Sequence, residues 1–243
     1  MNSNESIFER FPDYIREYIY QHSWESLREI QVLAARSLFN TENNLLLTSS
    51  TASGKTEAAF FPILTMLEGN LPESIAVLYI APLKSLINDQ FGRIEELLDI
   101  SGIPVTHWHG DVAQSHKKKL LMKPRGILQI TPESLESMLM NRSNDIIRLF
   151  HGLQFVIIDE IHTLTGCDRG NQIICQLARL RQLFFFLRRC LMLNRGKMLL
   201  CLALHFVVIY HVGLGINSVG ERCTCGSERY ACRLCKVVNT LGS

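Results

Sequence analysis

Short continuous apolar runs alternate along the chain with longer stretches in which apolar residues recur at helical spacing. The runs lie at residues 45–47, 75–80, 126–130 and 155–158, and each has the character of a strand buried on both faces. After the second run, apolar residues keep helical spacing as far as Leu98. Strands that alternate with helices in this way are typical of α/β proteins with a parallel sheet. The pattern therefore predicts an α/β fold.

The segment between the first run and the helix after it has the character of a phosphate-binding loop. It consists of Ser49, Ser50, Thr51, Ala52, Ser53, Gly54, Lys55 and Thr56. Small residues let backbone N–H groups close around phosphates, Lys55 would reach the β- and γ-phosphates, and the Thr56 hydroxyl would ligate Mg²⁺. Ser49 stands where the common pattern has its first glycine, so a plain Ser/Gly turn before a helix is the alternative.

Two carboxylates, Asp159 and Glu160, directly follow the run at residues 155–158. Ligands of open α/β sheets bind at the carboxyl ends of the strands. Asp159 would therefore hold the Mg²⁺, usually through water, and Glu160 would orient or deprotonate the attacking water. An isolated acidic pair after a strand is more often a solvated helix cap. Together with Lys55, the pair predicts a nucleoside triphosphate site.

Six segments resemble, in order, the motifs of one helicase family. They are residues 27–31, 53–56, 81–84, 109–111, 131–134 and 159–162. In that order they resemble the adenine-contacting glutamine segment, motif I, motif Ia, the glycine motif, motif Ib and motif II of the DExH-box group of superfamily 2 helicases. Residues 82–90 and 168–172 are most similar to the Lhr-like branch of that group.

The resemblance implies the first RecA-like domain of an ATP-dependent DNA or RNA helicase, a P-loop NTPase with helices on both faces of a parallel sheet. It implies that Gln31 contacts the adenine. It also implies a grip on the backbone of single-stranded nucleic acid by Pro82, Lys84, Gly110, Thr131 and Pro132. Alternatively, the prolines and the threonine only punctuate the fold, with Thr131 as the N-cap and Pro132 in the first turn of the next helix. The basic run at residues 116–119 would bind phosphates or form a solvated helix face.

The motors of this family have a second RecA-like domain, which supplies an arginine to the transition state of ATP hydrolysis. The 243 residues predict no such domain, and hydrolysis by this chain alone is expected to be very slow. A separate chain could supply the second domain. The rival hypothesis is a truncated, inactive remnant or a non-catalytic module that binds ATP or a partner. The family's Ser-Ala-Thr motif is also not found, which predicts a sheet without that strand and with exposed edges.

Composition divides the chain into a helical lead at residues 1–22, the nucleotide-binding unit at residues 24–182 and an atypical tail at residues 183–243. The tail holds six of the eight cysteines and carries a net charge of +6, against −4 for the rest of the chain. A frameshifted or truncated gene would produce such a change. A second interpretation is a Zn²⁺ site with four thiolate ligands. These would be Cys223, Cys225, Cys232 and Cys235.

The third interpretation of the tail is a membrane span, because residues 198–220 carry no Lys, Arg, Asp or Glu. Only residues 198–212 are strongly apolar, and that length is nearer to a buried strand or core helix than to a spanning helix. Residues 1–20 are polar and acidic and predict no N-terminal signal. A cytoplasmic location with reduced thiols and without membrane attachment is therefore expected.

Overall fold

A single parallel sheet organises the part of the chain whose structure is described. The computed structural model describes residues 3–41, 43–49, 53–81, 95–160, 168–194 and 205–211, and the described side chains end at residue 182. The strands are β1 (Leu45–Ser49), β2 (Ile75–Ile80), β3 (Val105–Trp108), β4 (Gly126–Ile130), β5 (Phe155–Ile158) and β6 (His205–His211). They lie in the order β1-β6-β5-β2-β4-β3, and every neighbouring pair is parallel. The predicted α/β class with a parallel sheet is confirmed.

Helices follow or precede each strand, as the spacing of apolar residues predicts. In the described residues they are α1 (Ser3–Phe8), α2 (Asp13–Gln21), α3 (Glu29–Asn40), α4 (Lys55–Leu67), α5 (Glu95–Ser101), α6 (Gln114–Met122), α7 (Pro132–Asn141), α8 (Ser143–Phe150) and α9 (Asp168–Asn194). The helical lead expected at residues 1–22 thus consists of α1 and α2. None of the described helices is both long enough and apolar enough to cross a bilayer.

The sheet is covered on both faces, because alternate residues of each strand enter two separate apolar clusters. Along β2, Val77 and Tyr79 join the cluster formed with α1 to α5, whereas Leu78 and Ile80 join the cluster formed with α6 to α9. All six residues of β2 are fully buried. Successive side chains of a strand point to opposite faces, so a strand buried on both faces must be apolar throughout. This explains the continuous apolar runs of the sequence.

Strand β6 corrects the expectation of an incomplete sheet. It lies between β1 and β5, with Leu45 opposite Val207 and Ile158 opposite Val208. Without it, the facing edges of β1 and β5 would leave buried backbone groups unpaired. Part of the charge-free stretch of the tail therefore belongs to the sheet, as a strand with a partner on each side. Helix α9 runs from Asp168 to Asn194, and the domain boundary at residue 182 stays a prediction.

Candidate nucleotide-binding site

The phosphate-binding segment joins β1 to α4, and its described part begins at Ser53. Residues 50–52 lie outside the described residues, and Ser49 is described only as the last backbone position of β1. Gly54 caps α4 with a φ of +80°, a left-handed conformation that glycine adopts without a steric penalty. A Cβ at Gly54 would lie 2.6 Å from Nε2 of Gln31. A larger residue would therefore strain the backbone and displace the Gln31 amide.

Lys55 is the first residue of α4 and is only 4% exposed. Its Nζ donates a hydrogen bond to the Ser53 hydroxyl at 3.3 Å. Burial lowers the pKa of the ammonium group, although the charges of Glu160 and Asp159 oppose the shift. A poorly solvated cation at a helix N-terminus attracts phosphate anions, and the backbone N–H groups of the first turn point the same way. The lysine and the two acids predicted from sequence are thus close enough to influence one another.

Asp159 extends β5 by one residue, since its N–H donates to the Ile80 carbonyl at 2.9 Å. Its side chain is held from two sides. Oδ1 accepts the backbone N–H of Glu160 at 2.8 Å, and Oδ2 accepts the hydroxyl of Tyr79 on the neighbouring strand β2. The residue is 1% exposed. The carboxylate therefore sits at the carboxyl edge of the sheet in a fixed orientation.

Glu160 lies at this edge and, although it is not a glycine, has a left-handed backbone with a φ of +48°. Such conformations cost energy and cluster at functional sites. Burial raises the pKa of its carboxyl to about 7, and the neighbouring Asp159 charge adds to the increase while Lys55 opposes it. A carboxyl that titrates near neutral pH can exchange a proton with water under physiological conditions. The environment of Glu160 is thus suited to the base role predicted for it.

Gln31 lies in the first turn of α3, and its side chain reaches the N-terminus of α4. Its Oε1 accepts the backbone N–H of Arg28 at 3.0 Å, in a capping arrangement that closes the start of α3. The side chain is 1% exposed, and its Nε2 has no hydrogen-bond partner within the described structure. A buried donor without a partner is costly. The arrangement leaves that donor beside Gly54, where a nucleotide could use it.

The residues predicted to grip a nucleic-acid backbone follow β3 and β4. Gly110 lies in the turn after β3. Thr131 caps α7, because its Oγ1 accepts the Ser134 N–H at 3.4 Å, and Pro132 is the first residue of that helix. The predicted cap and proline are confirmed as helix-starting features, but binding by these residues stays a prediction. Pro82 and Lys84 lie outside the described residues.

Sequence reasoning missed a polar junction between α7 and α9. Gln176 is fully buried, and its Nε2 donates to the Pro132 carbonyl at 2.8 Å and to a Glu136 carboxylate oxygen at 3.0 Å. Arg179 donates to the other oxygen of Glu136. The sequence did carry one signal, the position of Gln176 in the apolar stripe of α9 between Ile173 and Leu177. A polar residue in such a stripe indicates a buried hydrogen bond.

The described residues include no cluster of three or more His, Cys, Asp or Glu side chains that could hold a metal ion. Thr56 and Asp159 nevertheless fit Mg²⁺, since this ion takes oxygen ligands and is held by one or two protein groups together with substrate phosphates. Both residues are buried at the same edge of the sheet. The proposed zinc ligands Cys223, Cys225, Cys232 and Cys235 lie outside the described residues, and the zinc interpretation has no support here.

These features define the class of protein: an α/β domain with a RecA-like parallel sheet. The chain belongs to the DEAD/DEAH box helicase family, whose model matches residues 28–194, more than half of the chain. The resemblance inferred from the six sequence segments is therefore confirmed. Its helicase relatives agree with this family assignment.

Relatives support the Lhr-like branch. The ATP-dependent helicase Lhr-Core of Methanocaldococcus jannaschii is 32% identical in an alignment of 203 positions, which covers 76% of this chain and 24% of that protein. The structure of Mycobacterium smegmatis helicase Lhr bound to ssDNA and AMP-PNP matches with a TM-score of 0.65 and 26% identity, over 83% of this chain and 25% of that one. The chain thus spans about a quarter of the length of these proteins.

A second solved structure supports the fold. The DUF1998 helicase MrfA bound to DNA and AMPPNP matches with a TM-score of 0.68 over 84% of this chain and 26% of that one. The sequence identity is 23%, so this likeness shows the fold alone. It agrees with the RecA-like arrangement of strands and helices described above.

Proposed function

We propose that this chain binds MgATP at the carboxyl edge of its sheet and binds the backbone of single-stranded nucleic acid along the same edge, as the first motor half of an ATP-dependent helicase. The observation that carries the proposal is the convergence of Lys55, Asp159 and Glu160, which come from two elements far apart in the sequence. Burial and mutual charge perturb the pKa values of Lys55 and Glu160. Such perturbed groups in one place are typical of functional sites.

The nucleotide side of the proposal rests on complementary charge. Triphosphate oxygens would compensate the buried Lys55 ammonium and the N-terminus of α4. Thr56 and Asp159 would hold Mg²⁺, which neutralises phosphate charge. Glu160 would accept a proton from water or orient it, and Gln31 would offer its buried Nε2 to the adenine. Each of these roles is proposed for a side chain near the carboxyl edge of the sheet.

The nucleic-acid side rests on helix starts and turns at the ends of adjacent strands. The N-terminus of α7, capped by Thr131, and the turn at Gly110 follow β4 and β3, which are neighbours in the sheet. Phosphates bind readily at such N-termini, and backbone contacts carry no base information. The Mycobacterium smegmatis Lhr helicase was solved bound to ssDNA. We propose the same class of ligand here, with Pro82 and Lys84 as further contacts.

Rapid hydrolysis requires, in this proposal, an arginine from a second RecA-like domain, located elsewhere in the protein or on a separate chain. Lys55 and Glu160 would position the phosphates and the water, but would leave part of the charge in the transition state unbalanced. The competing hypothesis is an inactive remnant, and the experiment below distinguishes the two. A cytoplasmic location stays a prediction.

The test of nucleotide binding is thermal unfolding of the purified chain with and without MgATP. A ligand that binds only the folded state raises its stability in proportion to RT ln(1 + [L]/Kd). We expect a rise in Tm at millimolar MgATP that disappears in Lys55→Ala. The matched control is Lys118→Ala, which removes an exposed lysine on α6 and should keep the rise. A wild-type protein without a rise in Tm would overturn the proposal in favour of the remnant.

Nucleic-acid binding has its own test, fluorescence anisotropy with a labelled single-stranded oligonucleotide. Because the proposed contacts are to phosphates, affinity should fall steeply with added salt and depend little on base sequence. Affinity that follows base sequence, or no binding at low salt, would contradict the proposed contacts. That result would leave the nucleotide site unaffected.

A further inference from the structure

Tyr79 is a polar residue in the most deeply buried part of the molecule. It lies on β2, between β5 and β4, and is fully buried. Its ring packs against Phe60 of α4, with ring centroids 6.0 Å apart. The rest of its surroundings is the apolar cluster formed with α1 to α5. The sequence predicted only an apolar strand position here.

The hydroxyl of Tyr79 has one strong acceptor, the Asp159 carboxylate. A hydroxyl in an apolar environment is costly unless it makes a hydrogen bond, and hydrogen bonds to charged groups are stronger than those between neutral groups. A phenol has an ordinary pKa of about 10 and carries its proton at neutral pH, so the Tyr79 hydroxyl is the donor in this hydrogen bond.

Two donors fix the plane of the Asp159 carboxylate. The Glu160 N–H holds Oδ1 at 2.8 Å, and the Tyr79 hydroxyl holds Oδ2. The first donor belongs to the next residue of the chain. The second comes from a different strand, 80 positions away in the sequence. Partners that orient a metal-binding carboxylate influence metal affinity nearly as much as the ligands themselves.

We infer that Tyr79 is a positioning residue, whose hydroxyl orients Asp159 for the Mg²⁺ that accompanies the nucleotide. The inference rests on the proposed function, because it assigns to Asp159 the task of holding Mg²⁺. It adds a residue from the core of β2 to a site otherwise built from loops and helix starts. Tyr79 touches neither nucleotide nor metal in this account and acts only through the carboxylate.

The experiment uses Tyr79→Phe, which keeps the ring against Phe60 and removes the hydroxyl. The Tm of the protein is measured at a fixed ATP concentration while Mg²⁺ is increased, and again with ATP in EDTA. We expect the Mg²⁺ concentration at half of the full Tm rise to increase roughly tenfold, with the effect of ATP in EDTA unchanged. A residue that serves packing alone would not change the Mg²⁺ dependence.

The matched control is Tyr18→Phe, because Tyr18 is also a buried tyrosine of the same apolar cluster, at 2% exposure, and should leave the Mg²⁺ dependence unchanged. A wild-type midpoint in Tyr79→Phe would overturn the inference and leave the proposed function intact. A wild-type protein without any rise in Tm would overturn both. If Tyr79→Phe does not melt cooperatively, Tyr79→Leu is examined instead. If neither variant folds, the hydroxyl is required for folding, and the positioning role is refuted.

Discussion

Two glutamates show how the same side chain meets opposite environments in this molecule. Glu160 lies at the nucleotide edge, where burial and the Asp159 charge raise the pKa of its carboxyl to about 7. Glu136 lies at the junction of α7 and α9. Partial burial alone would raise its pKa, but hydrogen bonds from Gln176 and Arg179, with the Arg179 charge, lower it below 4.5.

The difference separates a carboxyl whose charged form is poorly stabilised by the fold from one whose charged form the fold stabilises. At the junction, donors surround the carboxylate and its charged form is stabilised within the protein itself. At the nucleotide edge, two acids share a poorly solvated space with Lys55, and the backbone of Glu160 is left-handed. Energetically unfavourable groups of this kind persist where the rest of the structure holds them and where function uses them. Three substitutions test this contrast.

The largest expected effect is at the junction, in Gln176→Leu. The change removes the donor to the Pro132 carbonyl and to Glu136 while keeping similar volume in a fully buried position. Loss of these hydrogen bonds should lower the free energy of unfolding by about 2 kcal/mol, measured by urea denaturation. The matched control is Gln182→Leu on the exposed side of α9, which should change it by less than about 0.5 kcal/mol. Equal effects would show that the junction does not stabilise the fold.

A smaller effect with the opposite sign is expected from Glu160→Gln in the ligand-free protein. The folded-state pKa of about 7 exceeds the ordinary 4.5, so the native state loses stability as pH rises between these values. The full shift corresponds to about 3 kcal/mol, which solvent screening should reduce, so replacement with a neutral amide should stabilise the protein by about 1–2 kcal/mol at pH 8 and by almost nothing near pH 4.5. Urea denaturation at both pH values, in EDTA, measures the difference.

The control for that prediction is Glu9→Gln, which changes an exposed glutamate of the helical lead and should show no such pH dependence. If Glu160→Gln were destabilising at pH 8, the carboxylate would be a stabilising group. The contrast between the two glutamates would then be refuted.

The smallest effect is expected from Glu136→Gln. Its carboxylate has a lowered pKa, so the stability it contributes is present above pH 4.5 and is lost as pH falls through the folded-state value. Because the Arg179 side chain is 40% exposed, solvent screening should limit the loss to under about 1 kcal/mol at pH 7. The wild type and the variant should converge at lower pH. Glu25→Gln, at an exposed position, is the control, and a constant difference at all pH values would contradict the assignment.

Predictions from the sequence were most complete for features that depend on residues close together in the chain. The order of strands and helices, the glycine before Lys55, the acids after β5 and the Thr131 cap were all predicted from short segments and are present in the structure. For residues 205–211 sequence reasoning gave two answers, because the apolar stretch at residues 198–212 favoured a buried strand or core helix, whereas the missing Ser-Ala-Thr motif predicted a sheet without that strand. The position between β1 and β5 requires only a segment that can be buried and paired.

The sequence by itself determined the α/β class and the helicase family, and it indicated Lys55, Asp159 and Glu160 as candidate site residues, because spacing and local propensity act over a few residues. Only the tertiary structure decided which of these residues influence one another. The Tyr79 hydroxyl reaches Asp159 across 80 positions, and Gln176 reaches Pro132 across 44. The raised pKa of Glu160 likewise depends on burial that the sheet and its two helical layers create together. Burial and charge proximity are properties of the folded chain, and no short segment contains them.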